Sequence, residues 1–414
     1  MPEGADISSI ESASPARAAE SGRIDDIEIL RAFAIMFVIL EHVRINLFHW
    51  NVPALNHLAK YFEFWSGVDL FLAISGFVIA RSLLPQLAVA KNPTAFINAT
   101  LCFWVRRAWR LLPSAWLWLL LIQLATAFFN RSEAFGLFHT NFQSAVASIL
   151  DVANLRSFLL ATNHEWFGPA FPYWSLSLEE QFYFLLPFLV LASGRYLVIV
   201  SGILVLSQLF LPRLHSPLIM VRSDALLLGV LIAVWSKQST FRLFQPVALS
   251  RYPAARWATL ILVLGSIAAL SPIDTPLIPF PVGIIALLSA ALVVIASYDQ
   301  DYLMRKGAFK SALLWVGSRS YALYLVHIPS YLMTREIWYR IEPVGTIFTG
   351  RFTLRFALTA LALMLTLAEL NYRLIERPLR MRGAQIARRL AMRIPQGNLQ
   401  PSQSVTVFPV ALSS

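Results

Sequence analysis

The chain has 414 residues, of which 57% are hydrophobic and only 14% are charged. Soluble domains carry about 25% charged residues, so this composition excludes a single water-soluble core, and its long apolar runs exclude a disordered chain. The formal charge is +11, yet the basic residues lie in short stretches between apolar runs. That distribution speaks against a nucleic-acid partner, whose binding proteins gather basic groups on a soluble face. It points instead to an all-α, polytopic integral membrane protein. The single cysteine, Cys102, excludes a disulfide within the chain and a cysteine-rich metal site.

Residues 1–23 are polar, rich in Ala, Ser and Glu, and lack the apolar core of a cleavable signal. They are expected to form a disordered cytosolic lead-in. Ten candidate spans follow: 27–48, 64–84, 111–129, 174–193, 196–212, 217–236, 257–271, 277–297, 311–333 and 353–374. Most have the about 17–25 residues that a crossing helix needs. With the N-terminus in the cytosol, inner segments hold 22 Lys and Arg and outer ones hold 10. The positive-inside rule therefore favours both termini inside; the expected location is the inner (plasma) membrane. Residues 24–380 form the ten-helix domain, 130–172 its one long outer loop, with Trp166, Pro169 and Pro172, and 381–414 a basic and then polar cytosolic tail.

Charged side chains at mid-membrane cost about 2.5–3.5 kcal/mol on insertion scales, so such residues default to functional candidates. In the first span Arg31 and His42 are eleven residues apart. Eleven steps of about 100° return to one helix face, about 16 Å along the axis. The bland reading is that Arg31 snorkels and His42 bonds a neighbouring helix. In the second span, VDLFLAISGFVIA, Asp69 and Gly76 share a face; Gly76 allows close helix approach. Asp69 either caps the helix start, the better fit to its spacing, or bonds an Arg or His elsewhere. In FWVRRAWRLLP, Arg107 and Arg110 share a face at the cytosolic border. Arg suits multidentate phosphate recognition, although topology and lipid contact explain such residues equally well. The fourth span opens YWSLSLEEQFYFLLP, with Ser175, Glu179 and Tyr183 on one face and Glu180 beside them. The ninth carries Tyr324 and His327 one turn apart. No nucleophile elbow, phosphate-binding glycine loop or H-E-x-x-H is present. Two span histidines and one cysteine do not make a metal set.

Taken in order, Arg31-x10-His42, VDLFLAISGF (68–77), Arg107-x-x-Arg110 with Pro113, WSLSLEEQFYFLLP (174–187), SRSYALYLVHIP (318–329) and YRLIERPLR (372–380) resemble the acyltransferase-3 family of multi-span membrane O-acyltransferases. RSDALLLG (222–229) also resembles a family segment. The resemblance runs from Ile24 to Arg380. It implies transfer of an acyl group, usually acetyl, from cytosolic acyl-CoA to a carbohydrate hydroxyl. The expected acceptors are O-antigen lipopolysaccharide, exopolysaccharide, peptidoglycan sugars, nodulation factors or glycosylated small molecules. Many members carry a C-terminal esterase-like domain, and this chain is read as the stand-alone form. Glu41, beside His42, departs from the expected motif.

The resemblance assigns His42 as general base or acyl carrier, with Glu179, or less readily Asp69, orienting its imidazole. Arg107 and Arg110, helped by Arg31, anchor acyl-CoA as the co-substrate, with no metal. Asp69, Glu180, Tyr324 and His327 are expected to touch the acceptor. The partners are then acyl-CoA, a carbohydrate acceptor, the bilayer and polysaccharide-assembly proteins. Three other readings stay open: the same chemistry on a glycosylated small molecule or lipid, a proton-coupled transporter or flippase, which also buries Arg, Glu and His, and a purely structural or scaffolding membrane protein, which does not account for so many buried charges.

Overall fold

A computed structural model describes residues 23–163 and 168–393. Trp166, the lead-in up to Gly22 and the tail beyond Arg393 lie outside these described residues. The described residues are all-helical. Five helical stretches are long and apolar enough to cross a membrane: Gly67–Ala88, Pro93–Phe128, Tyr173–Leu209, Pro217–Trp235 and Gly350–Met392. Pro253–Ala269 and Pro281–Ser297 are shorter apolar helices.

Helix α1 (Asp25–His42) opens with Asp25, Asp26 and Glu28 in its first turn, where carboxylates complement the positive end of the helix dipole. It passes directly into a π-helical turn, Val43–Leu47, so the α-helix ends on His42. Single π turns inside helices occur frequently at functional sites. Helix α2 (Pro53–Ala59) is short and leads to α3 (Gly67–Ala88). Helix α4 (Pro93–Phe128) starts eighteen residues before the expected span at 111–129. Asn92 caps it by accepting from the Ala95 backbone N–H at 2.7 Å, and Pro93 occupies the first turn, where its missing N–H costs nothing. The stretch containing Arg106, Arg107 and Arg110 therefore belongs to this helix, ahead of the expected span.

The expected outer loop at 130–172 holds two helices of its own, α5 (Phe138–Ile149) and α6 (Ala153–Thr162). Glu336, fully buried, fastens its start by accepting from the backbone N–H groups of Arg131 at 2.9 Å and Ser132 at 2.7 Å. Next come α7 (Tyr173–Ser193), α8 (Leu197–Leu209) and α9 (Asp224–Trp235). Helices α10 (Val247–Arg251), α11 (Pro253–Ala269), α12 (Pro281–Ser297) and α13 (Ala308–Ser318) follow. The chain ends its described part with α14 (Ser320–Ile341), α15 (Thr353–Asn371), a π turn at Tyr372–Glu376 and α16 (Arg377–Arg393).

Helix α3 lies at the centre, packed against α1, α9 and α12. Small residues set this packing. A Cβ on Gly76 would collide with the Leu226 carbonyl, and one on Gly229 with the Ala73 carbonyl. Two backbones touch there, as in small-residue membrane interfaces, and the sequence expectation for Gly76 holds. The periphery is apolar: Leu206, Ile261 and Leu262 are 63%, 69% and 70% exposed. The interior carries the charge. Asp69, Arg222, Arg213 and Asp224 are all buried, the inverse of a soluble protein.

Candidate active site

Helices α1, α4 and α7 bring Arg31, Arg107, Arg110 and Glu179 to one cavity. The Arg31 Nη1 donates to Glu28 Oε1 at 2.7 Å, an i, i+3 ion pair on its own helix. The Arg107 guanidinium lies 5.8 Å from the Phe103 ring centre and 5.5 Å from that of Tyr183. The Nε of Arg110 is buried with no hydrogen-bond partner. Glu179 faces these arginines, and the hydroxyls of Ser75 and Tyr183 bond both to one another and towards its carboxylate. Three guanidinium groups held within mutual Coulombic reach form a site ready for a multiply charged anion.

The same cavity is lined by Val68, Leu72, Ile74 and Leu111 and by Ser175 and Tyr324. Its empty space, open mouth included, is ≈ 710 Å³. Arginines together with apolar walls suit a molecule with phosphates at one end and a thin, weakly polar arm.

Beyond the lining, Tyr324 meets a histidine pair. Its ring centre is 5.7 Å from that of His327, and the rings of His327 and His42 stand edge to face at 5.0 Å. His42 Nδ1 is 2.8 Å from the Val38 carbonyl, and His327 Nδ1 is 2.6 Å from the Tyr324 carbonyl. A carbonyl only accepts, so each Nδ1 carries the proton and each Nε2 is left as a lone pair. His327 is fully buried and its Nε2 has no partner. The Tyr331 hydroxyl donates to the Ile39 carbonyl at 2.8 Å, tying α14 to α1 one turn from both histidines. The Tyr324 hydroxyl lies 2.6 Å from Ser175 Oγ and donates to the Pro172 carbonyl at 2.7 Å.

Several sequence expectations change here. Glu179 does not hold the His42 imidazole, because its carboxylate is engaged at the arginine end and Val38 already fixes the ring. Asp69 makes no helix cap. Both its oxygens are taken by Arg222, at 2.7 and 2.8 Å, beneath the rings of Trp65 and Trp174. That bidentate pairing commits its carboxylate to Arg222 rather than to a sugar or to His42. Glu180 lies about 100° round α7 from Glu179 and hydrogen-bonds Asp151 next to α6, away from the cavity. Glu41 accepts from the Phe64 N–H at 2.7 Å. Arg319, also inside an expected span, pairs with Glu369 at 2.9 Å. Sequence reasoning missed Arg222, Ser75 and Glu376. Only the motif blocks containing them gave a signal.

Residues 24–368 match the acyltransferase domain family, and the chain belongs to it. Among curated relatives, the peptidoglycan O-acetyltransferase OatA of Listeria monocytogenes is 27% identical over 387 residues, covering 87% of this chain and 56% of its own. YrhL of Bacillus subtilis, provisionally named a peptidoglycan O-acetyltransferase, is 28% identical over 383 residues, covering 87% and 55%. A Staphylococcus aureus protein provisionally named an O-acetyltransferase is 27% identical over 403 residues, covering 89% and 59%. The chain thus spans under two thirds of the length of these relatives. No solved structure matches it.

Proposed function

We propose that the chain is a membrane O-acyltransferase that moves an acyl group, acetyl first among candidates, from cytosolic acyl-CoA to a glycan hydroxyl. The observation that carries this is one cavity lined by Arg31, Arg107, Arg110 and Tyr324, with the Tyr324 ring meeting the His42–His327 pair. The names of the relatives support an acceptor of the peptidoglycan class ahead of lipopolysaccharide or exopolysaccharide. With ten spans and both termini in the cytosol, Arg31 lies near the cytosolic face and His42 towards the outer one. That arrangement suits a donor arriving from inside and an acceptor outside.

Arg107 and Arg110, with Arg31, hold the CoA phosphates, and the pantetheine arm lies along the apolar middle of the cavity. His42 Nε2 accepts the proton of the acceptor hydroxyl as its oxygen bonds to the thioester carbonyl carbon. The C–S bond then breaks, and the departing CoA sulfur takes up that proton. General-base assistance of this kind contributes about 10²–10⁴-fold. The same lone pair suits direct attack on the thioester, which would make His42 an acyl carrier. His327 faces His42 and serves as the second imidazole at the reacting centre. The test is label transfer from acetyl-labelled acetyl-CoA into base-labile glycan, with His42→Ala as the matched control. His42-dependent label is expected. Transport of a glycan without covalent change would overturn the reading.

A further inference from the structure

The block YRLIERPLR is left unused by the mechanism above, and it lies beyond the 24–368 family match. In the structure it borders the arginine cluster. Helix α4 runs antiparallel to the end of α15 and to α16, joined by a ladder of contacts. The Trp118 indole donates to Asn371 Oδ1 at 3.2 Å, and Asn371 Nδ2 donates to Ser114 Oγ at 3.3 Å. Further along, Gly383 lies against Trp109 so closely that a Cβ there would collide with its side chain. The Cys102 thiol then meets the Ala387 carbonyl at 3.3 Å. By this register Glu376 and Arg380 fall between these rungs, level with Arg110, whose charge they feel.

Glu376 ends the π turn and is 3% exposed. Its charge acts with those of Arg110, Arg380 and Arg31. Yet its Oε2 and the Nε of Arg110 are both buried without a hydrogen-bond partner. A carboxylate and a guanidinium facing one electrostatic site, each with an unused polar atom, form an unfinished pair. Buried polar atoms without partners carry a cost, and an arriving phosphate would complete the guanidinium side.

We propose that the π turn and the first turn of α16 form a wall of the donor site, in which Arg380 adds a phosphate contact beside Arg110 and Glu376 is a resident counter-ion opposing the incoming phosphate. The proposal rests on the reading of the arginine cluster as the acyl-CoA anchor. Glu376 offsets the arginine charge while the site is empty. Bound CoA, with its diphosphate and 3′-phosphate, supplies that charge instead and feels the carboxylate as repulsion.

The test is equilibrium binding of radiolabelled CoA to the full chain in lipid nanodiscs, at low and moderate salt. Arg380→Gln should weaken CoA binding about tenfold, the scale of one charge-assisted hydrogen bond, and flatten its salt dependence. Glu376→Gln should do the opposite and tighten CoA binding about three- to tenfold through loss of a like charge. A merely structural wall would weaken binding in both variants, and that outcome, or unchanged affinity in both, overturns the proposal. Should Glu376→Gln not fold, the series wild type, Arg380→Gln, Arg380→Glu carries the test. Stepwise weakening supports the proposal and equal affinities overturn it. A wild-type chain that does not bind CoA at all overturns the underlying donor reading instead.

Discussion

His42 and His327, 285 positions apart in sequence, stand edge to face with ring centres 5.0 Å apart, and each turns its Nδ1 to a carbonyl of its own helix. The backbone thus does for both rings what a carboxylate does in a hydrolytic triad: it fixes the tautomer and frees Nε2. His42→Ala should lower acyl transfer by about 10²–10⁴-fold, the range of a lost general base. His327→Ala should cost less, about 10–100-fold, because His42 keeps its own orientation. Steady-state rates in membranes at matched protein levels check both.

The Tyr331 hydroxyl bond to Ile39 holds the two histidine-bearing helices at their spacing. Tyr331→Phe removes that bond and keeps the ring, whose contact with His327 is at 6.2 Å. The expected result is a kcat lowered by about three- to tenfold with little change in KM for acyl-CoA, since the donor site is at the other end of the cavity.

The arginine end predicts the opposite split. Arg107→Ala combined with Arg110→Ala should raise KM for acetyl-CoA by about tenfold or more and change kcat far less. A KM that stays within about twofold would remove these residues from donor binding.

The Asp69–Arg222 pair is a stability element. Both residues are buried and joined by two hydrogen bonds. Asp69→Ala leaves an uncompensated guanidinium inside the protein, a change that costs about 3–5 kcal/mol in buried pairs. The thermal midpoint in detergent should fall sharply, and the joint replacement of Asp69 and Arg222 by apolar residues should recover much of it. A normal midpoint for the single variant would contradict this role.

Glu63, in the loop between α2 and α3, provides a pH-dependent term. Burial, then the nearby Glu41 carboxylate, pushes its carboxyl from the ordinary 4.5 up to about 7. Between those values the folded chain holds a proton that the unfolded chain has lost. Its stabilising contribution is therefore complete below about pH 4.5 and is lost as pH rises through about 7. Glu63→Gln should flatten the dependence of the thermal midpoint on pH across that window; an unaltered slope would exclude the assignment.

The all-helical class and the close approach at Gly76 were legible in the sequence because apolar run length and small-residue spacing are local signals, whereas the two helices inside the expected loop at 130–172 were not. The shared face of Arg107 and Arg110 was legible for the same reason, as was the pairing of Tyr324 with His327 one turn on. What escaped is what depends on partners distant in the chain. Asp69 finds Arg222 across 153 positions, and no periodicity announces that. Glu179 and Glu180 are neighbours in sequence, yet the helix turns one to the arginines and the other to Asp151. From sequence a carboxylate is the natural group to orient His42, because backbone carbonyls have no sequence signature. The early start of α4 was hidden because the expected span was bounded by its apolar run, whereas the helix start is marked by Asn92 and Pro93.

The central claim is covalent transfer at His42, and labelled acetyl-CoA tests it most directly. Membranes containing the wild-type chain or His42→Ala receive acetyl-CoA labelled in the acetyl group, with peptidoglycan-type glycan as acceptor. Base-labile label in the glycan with the wild type, reduced by about 10²-fold or more in the variant, is the predicted result. Equal label from both proteins would contradict the account.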